Sequence, residues 1–307
     1  MPVLERDPWR DQFFVNVACP DDVLIPTDDP DSWEWYPEHR WVYDKLKIAQ
    51  SQGLLCAPHG VAPPAFPVFS KPMINLKGMG IGSRVIASKE EFEHTYQPGH
   101  MWMDLLEGDH VSTDCAVREG CVVWSRHATG LAWAHGMFKH WTIHAGVMPT
   151  LQAYLSGWVE AHMSRYTGMM NFETIGGRII EVHLRFADQW CDLYGTGWVA
   201  ALVRLYEQGV WKFDDSQRRD GYSVPLFAAH GNGFRHPSSE LQARIRSLSH
   251  ISSLQVTFHE NKAPSDHAMP PGGFRLGIIN CTDLAAGLAA RLELAGAFPA
   301  ELVILPE

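Results

Sequence analysis

Between Asn171 and Arg185 the chain reads NFETIGGRIIEVHLR, with apolar and polar positions alternating on both sides of Gly176-Gly177. This pattern predicts two strands joined by a tight turn, because both central residues of a type I′ hairpin turn need φ > 0. In RIIEVHLR the alternation sets Ile179, Glu181, His183 and Arg185 on one face and Ile180, Val182 and Leu184 on the other. One face is apolar; the other carries acid, imidazole and guanidinium in a row. If the register also turns Glu173 toward Glu181, two carboxylates and an imidazole meet where a hard cation could bind. A half-buried hairpin whose charged face is simply solvated is the other reading of the same pattern.

Elsewhere the periodicity changes from element to element. FFVNVACP reads as a short strand, and the acidic, Pro-rich DDVLIPTDDPDSWEWYPEH after it as a loop. RWVYDKLKIAQSQGLL has helical apolar spacing and stops at Gly53. FPVFSKP is a strand ending at Lys71 and Pro72, followed by the flexible loop MINLKGMGIGS, the strand RVIAS and a helix whose start, Ser88 with Glu91, is a capping box. MWMDLL, HVSTDCAV and CVVW are strands separated by the turns EGD and REG. In AWAHGMFKHWTIHAG, His140 and His144 share one face if the segment is helical, but Gly136 and Gly146 interrupt it and no Glu follows the first His. A substrate-lining loop is therefore expected there. TGWVAALVRLYEQG is a helix stopping at Gly209; LQVTFHE and FRLGIIN are strands, and Thr282 or Asp283 caps a final helix whose LAAGLAARLELA stripe is core. The expected units are 1–65, 66–137, 138–214 and 215–307.

Composition narrows the class. A chain of 307 residues can bury a substantial core in two or three units. Its net charge of −10 and lack of a basic block disfavour nucleic acid as a partner. No apolar run approaches the roughly 20 residues of a membrane span, and the charged opening MPVLERDPWRDQF is unlike a secretory signal, so a cytoplasmic location is expected. The six cysteines form no CxxC pair and read as reduced thiols. Strand, lysine, glycine-rich loop and strand in succession suit a backbone lid over phosphates, with Lys71 as a point charge. GMGIGS is neither a P-loop, since no GK[ST] follows, nor a dinucleotide fingerprint, since no helix starts on its last glycine.

In this order the pieces resemble the ATP-grasp superfamily, in its biotin carboxylase and carbamoyl phosphate synthetase branch. The resemblance spans roughly residues 40 to 200 and implies an α+β fold of two subdomains clamping a nucleotide, with a small C-terminal α+β cap. YDKLKIAQSQGLLCAPHG looks like the family's segment whose lysine, here Lys45, contacts ATP phosphate. FPVFSKPMINLKGMGIGSRVIASKEEFE is similar to the nucleotide-binding strand and flap, with Lys71 as second nucleotide lysine and Lys77, Gly78, Gly80 and Gly82 in the flap. MWMDLLEGDHVSTDCAV resembles the adenine hinge, which brings Met103, Asp104 and Leu105 near the base and His110 to the ribose position. NFETIGGRIIEVHLR resembles the metal hairpin, so Glu173 and Glu181 match the Mg2+ carboxylates and Arg185 a catalytic arginine. The implied cofactors are ATP with Mg2+ or Mn2+.

The departures are equally specific. His183 replaces the family's usual Asn; it either binds a softer metal or contacts phosphate. Gln189 stands where biotin carboxylase has its Glu base, and RHATG lacks a matching bicarbonate lysine, so biotin carboxylation is disfavoured. His110 stands where many relatives have an acid, and the domain ahead of the core is reduced to about forty residues. The implied activity is an ATP-dependent carboxylate–amine ligase on small molecules, with Arg185 and Lys71 catalytic and His127, His135 and His140 lining the acceptor pocket. Non-ligase phosphoryl transfer and a pseudoenzyme that binds nucleotide are the other readings. A homodimer is open, as in many relatives.

Overall fold

The structure, a computed structural model, describes residues 3–231 and 233–306. In chain order its strands are β1 (Val3–Leu4), β2 (Ile25–Pro26), β3 (Cys56–Pro58), β4 (Val68–Pro72), β5 (Arg84–Ile86), β6 (His100–Asp104), β7 (His110–Arg118) and β8 (Cys121–Ala132). They continue with β9 (Phe138–Ile143), β10 (Gly168–Ile175), β11 (Arg178–His183), β12 (Gly221–Ala228), β13 (Ile251–Val256), β14 (Phe274–Cys281) and β15 (Val303–Ile304). The helices are α1 (Asp29–Trp35), α2 (Lys45–Ser51), α3 (Lys89–His94), α4 (Pro149–His162), α5 (Trp198–Gln208), α6 (Ser239–Arg246) and α7 (Leu284–Ala295). Among the described residues no helix is long and apolar enough to cross a membrane.

Two sheets carry the fold. The smaller runs in the order β3-β6-β4-β5, and the larger in the order β11-β10-β7-β8-β9-β12-β14-β13 with β15 on β12. The changeover falls in the 105–109 turn, ahead of the boundary expected at 137. The C-terminal strands do not form a sheet of their own: β12 pairs with β9 through Tyr222–Thr142 and Ser223–Trp141, so the large sheet runs on into that unit.

Alternation along β7, β8 and β10 divides the large sheet into two faces. Cys115, Val117, Met170 and Phe172 pack with Leu155, Trp158 and Val159 of α4. Ala116, Trp124, Ala128 and Met169 pack on the opposite face against Phe186, Trp190 and Trp198. Cross-strand partners share a face, so this second face also carries Glu173 with Ser112 and Asn171 with Asp114. At the far end, α6 and α7 cover Leu226, Leu254, Leu276 and Ile279.

Several expectations are corrected. FFVNVACP is no strand: a 3-10 turn at Asp11–Phe13 drops Phe14 into the core, with Phe13, Val17 and Cys19 packed around it, and leaves Val15 exposed. The tract read as a loop holds β2 and α1; the Asp28 side chain accepts from Asp31 N at 2.8 Å and Pro30 occupies the first turn, a helix start hidden among turn-forming residues. The helix expected from Arg40 begins at Lys45, because Asp44 is extended and its carboxylate caps Leu46 and Lys47. Within the histidine-rich segment Phe138–Ile143 is strand β9 and not loop, because β8 is long enough to pair with it from Ala128 to Ala132, while His135 remains in the turn before it.

Candidate functional site

The β10–β11 hairpin forms as its pattern dictates. Gly176 and Gly177 both have positive φ, 56° and 77°, and Glu173 is the register partner of Glu181. A bulge then shifts the ladder: Thr174 pairs with Ile179, and Ile180 is left over. The simple alternation is thus corrected. Ile179 joins Val182 and Leu184 in the core, while Ile180 presents its carbonyl to the cleft. Lys71, on β4 of the small sheet, donates to that carbonyl at 2.7 Å.

Lys45, at the first position of α2, lies 2.8 Å from Glu181 Oε1. Lysines from two elements thereby converge on adjacent residues of a third. Burial opposes the charge on Glu181, yet Lys45 and then His183 hold this carboxyl below its usual range. Burial pushes Lys71 down to about 8; Lys45 adds to the effect and Glu181 opposes it.

The residue that the sequence reading missed is Asp29, on α1. Both of its oxygens lie 3.0 Å from His183 Nδ1, and Arg185 donates to it from Nε at 2.9 Å and Nη2 at 3.3 Å. Tyr43 bridges the same place, its hydroxyl accepting from Leu184 N and donating to Asp29. Burial works against the Asp29 charge, but Arg185 and His183 keep this carboxyl well below the ordinary range. Asp114 is a second missed residue: it accepts from Asn171, from Ala187 N and from Tyr194, fastening the segment after Arg185. Burial raises its pKa to about 6.

The remaining expected residues divide. His110 Nε2 lies 2.6 Å from Glu173 Oε2, and its ring meets Phe138 and Trp141 at 5.2 and 5.5 Å. Those two rings lie over Gly130, where a β-carbon would come within 2.6 Å of Phe138 and 2.9 Å of Trp141. His127 lines no open cleft: it is buried, with Nδ1 2.9 Å from Thr113 Oγ1. His140 is on the opposite face of β9 from Trp141, paired with Leu131 and near Tyr222. His135, with φ of 50°, accepts at its carbonyl from Gly272 N, a backbone contact. Met103 and Asp104 are inside the small sheet's ladder, opposite Phe69 and Val68, so of the three hinge residues only Leu105 lies beyond it. Gly78, Gly80 and Gly82 all have positive φ, as the flap requires, and Lys77 N is held by Asn75. The flap tip reaches the large unit: a β-carbon on Gly136 would lie 3.3 Å from Met79 O and 3.4 Å from Pro270 and Pro271.

Glu173 and Glu181 are hard oxygen donors facing each other across a rigid hairpin, which fits a divalent cation. Among the described residues no three His, Cys, Asp or Glu side chains are gathered into a finished cage. Glu173 is paired with His110 and Glu181 with Lys45. A cavity of about 370 Å³ beside Cys191, Gly195 and Ser252 shares no lining residue with this site.

No protein-family model matches the chain, and no curated protein matches it in sequence. Solved structures do. An L-amino acid ligase from Bacillus licheniformis aligns over 97% of this chain and 84% of its own, with TM-score 0.58 and 14% identity. Carboxyaminoimidazole ribonucleotide synthase from Aspergillus clavatus, solved with ATP, covers 85% and 75%, with TM-score 0.59 and 11% identity. Biotin carboxylase from Campylobacter jejuni, in a complex with an ATP ligand, covers 92% and 75%, with TM-score 0.58 and 13% identity. The fold is the ATP-grasp fold that the motifs led us to expect.

Proposed function

We propose, from the ATP-grasp fold of this chain, that it is an ATP-dependent ligase that activates a small-molecule carboxylate for attack by an amine. The observation that carries this reading is the convergence of Lys45 and Lys71, from two elements, on Glu181 and the Ile180 carbonyl, with Glu173 directly across the hairpin. Structural neighbours named as amino acid ligase and ribonucleotide synthase support the reaction class.

ATP would lie between the small sheet and the hairpin, its phosphates under the Gly78–Gly82 flap and beside both lysines. Glu173 and Glu181 would hold Mg2+, which when bound would neutralise phosphate charge during transfer. The acceptor carboxylate takes the γ-phosphoryl group and becomes an acyl phosphate; the amine then forms the C–N bond and phosphate leaves. Arg185 is set to stabilise that charge. Asp29 takes up its Nε and one Nη2 hydrogen, the second Nη2 hydrogen faces His183 Nδ1 at 3.3 Å and Phe186 O takes one from Nη1, so one Nη1 hydrogen remains for the phosphoryl group. The approach of Met79 in the flap to the backbone at Gly136 would help keep water from the mixed anhydride.

Calorimetry with ATP and Mg2+, followed by ADP release across a panel of amino and carboxylic acids, tests the proposal. Saturable ATP binding and ADP release dependent on a carboxylate–amine pair are expected. Nucleotide binding without turnover over a broad panel, or turnover without an amide product, would overturn it.

A further inference from the structure

The hairpin's third polar position is an imidazole whose two nitrogens face different ways. Nδ1 meets both oxygens of Asp29 at 3.0 Å. Arg185 Nη2 also lies 3.3 Å from Nδ1, but the two Asp29 oxygens are closer and belong to a carboxylate that accepts from Arg185, so the arrangement assigns the ring proton to Nδ1. Nε2 then offers its lone pair in the opposite direction, toward Glu181 Oε1 at 4.0 Å. That separation exceeds a hydrogen bond, yet one cation about 2.1 Å from each atom can span it. His183 and Asp29 are both buried, so the ring cannot swing away without stripping Asp29 of its partner. A carboxylate holding the far nitrogen of a histidine is the arrangement by which proteins aim an imidazole at a metal.

We infer that His183 ligates, through Nε2, the divalent cation that accompanies the nucleotide, and that Asp29 aims it, so that the site favours Mn2+ over Mg2+. Glu181 supplies the neighbouring oxygen, since Lys45 occupies only part of its lone-pair capacity, and Glu173 faces them across the ladder. A nitrogen donor adds little to Mg2+, which keeps oxygen ligands and water, and more to first-row transition ions. The inference rests on the ATP-site reading and gives that site a metal preference.

The test is pulsed EPR of the full chain with Mn2+ and a non-hydrolysable ATP analogue, using protein labelled with 15N-histidine. A 15N coupling to Mn2+, replaced by 14N in unlabelled protein, is expected; adenine nitrogen cannot produce that change. His183→Asn should keep the Mn2+–nucleotide complex, lose the histidine coupling and reduce the Mn2+-over-Mg2+ preference by about tenfold, and Asp29→Asn should weaken Mn2+ binding by about tenfold. Nucleotide and Mn2+ bound without histidine coupling would overturn the inference while leaving the ATP site standing. Absence of any metal-dependent nucleotide binding in the unmodified chain would overturn both.

Discussion

Replacing Lys71 with methionine should make the protein more stable and worse at holding ATP. Lys71 is 5% exposed, and burial pushes it from 10.5 to about 8. Holding the charged form at neutral pH therefore costs about 3 kcal/mol relative to the unfolded chain. Methionine keeps most of the side-chain volume but strands the Ile180 carbonyl that Lys71 serves, a loss of about 1–2 kcal/mol. The net expectation is a gain of about 1–2 kcal/mol for Lys71→Met, read as a higher urea midpoint at pH 7 without nucleotide. The pH dependence fixes the cause. Between pH 8 and 10.5 the native state has released the Lys71 proton and the unfolded state has not, so this group makes stability rise with pH across that window. Other titrations are common to both proteins, so the variant's advantage should be full below pH 8 and shrink toward pH 10.5. Calorimetry should show ATP affinity reduced at least tenfold in the variant. A variant less stable at pH 7, or an advantage that does not change from pH 8 to 10.5, would refute the account of Lys71 as a buried charge held for function.

Two further changes probe the scaffold. Asp29→Ala removes the acceptor shared by His183 and Arg185 and should cost about 3–5 kcal/mol in urea unfolding, with Asp29→Asn costing less. Because Asp29 is held below the usual range, its contribution is present above that range and lost as pH falls through the depressed native value; the gap between wild type and Asp29→Ala should be flat at neutral pH and close in acid. A gap that widened on acidification would contradict the pairing. At the hairpin turn, Gly176→Ala should lower the unfolding midpoint far more than Gly177→Ala. Both residues have positive φ, but only at 176 does an added β-carbon overlap the Glu107 carbonyl oxygen, whereas at 177 nothing lies within 4 Å. Equal effects would show that the packing of the 105–109 turn on the hairpin is loose.

The parts of the site that local sequence controls were open to reading, and those set by distant packing were not. A glycine pair between alternating segments specifies its own turn and, through that turn, the opposition of Glu173 and Glu181. The bulge at Ile180 has no such local sign: it follows from burying Ile179 beside Val182 while giving Lys71 a carbonyl, two demands from other elements. The strand β9 was expected as a substrate-lining loop for a related reason. Histidines at 135, 140 and 144 look like a set when counted along the chain, but pairing with β8 sends His140 to one side and Trp141 to the other.

Asp29 is the instructive case, because its neighbours Asp28, Pro30 and Asp31 spell both a turn and a helix start, and what the helix is for lies more than 150 residues downstream. Its need, however, follows from chemistry at position 183. An amide at that position can present its oxygen to a cation by rotating alone. An imidazole has two equivalent-looking nitrogens and must have one committed elsewhere before the other points reliably at a metal or a phosphate. A histidine at position 183 therefore calls for a buried acceptor on the Nδ1 side, and that acceptor must stay charged while buried, which calls in turn for a cation beside it. Arg185 supplies the cation, α1 supplies the acceptor, and Tyr43 ties that acceptor to the backbone of Leu184, just past β11. The N-terminal segment is in this sense part of the site: without Asp29, the hairpin would carry a histidine with no preferred direction and an arginine with no carboxylate beside it.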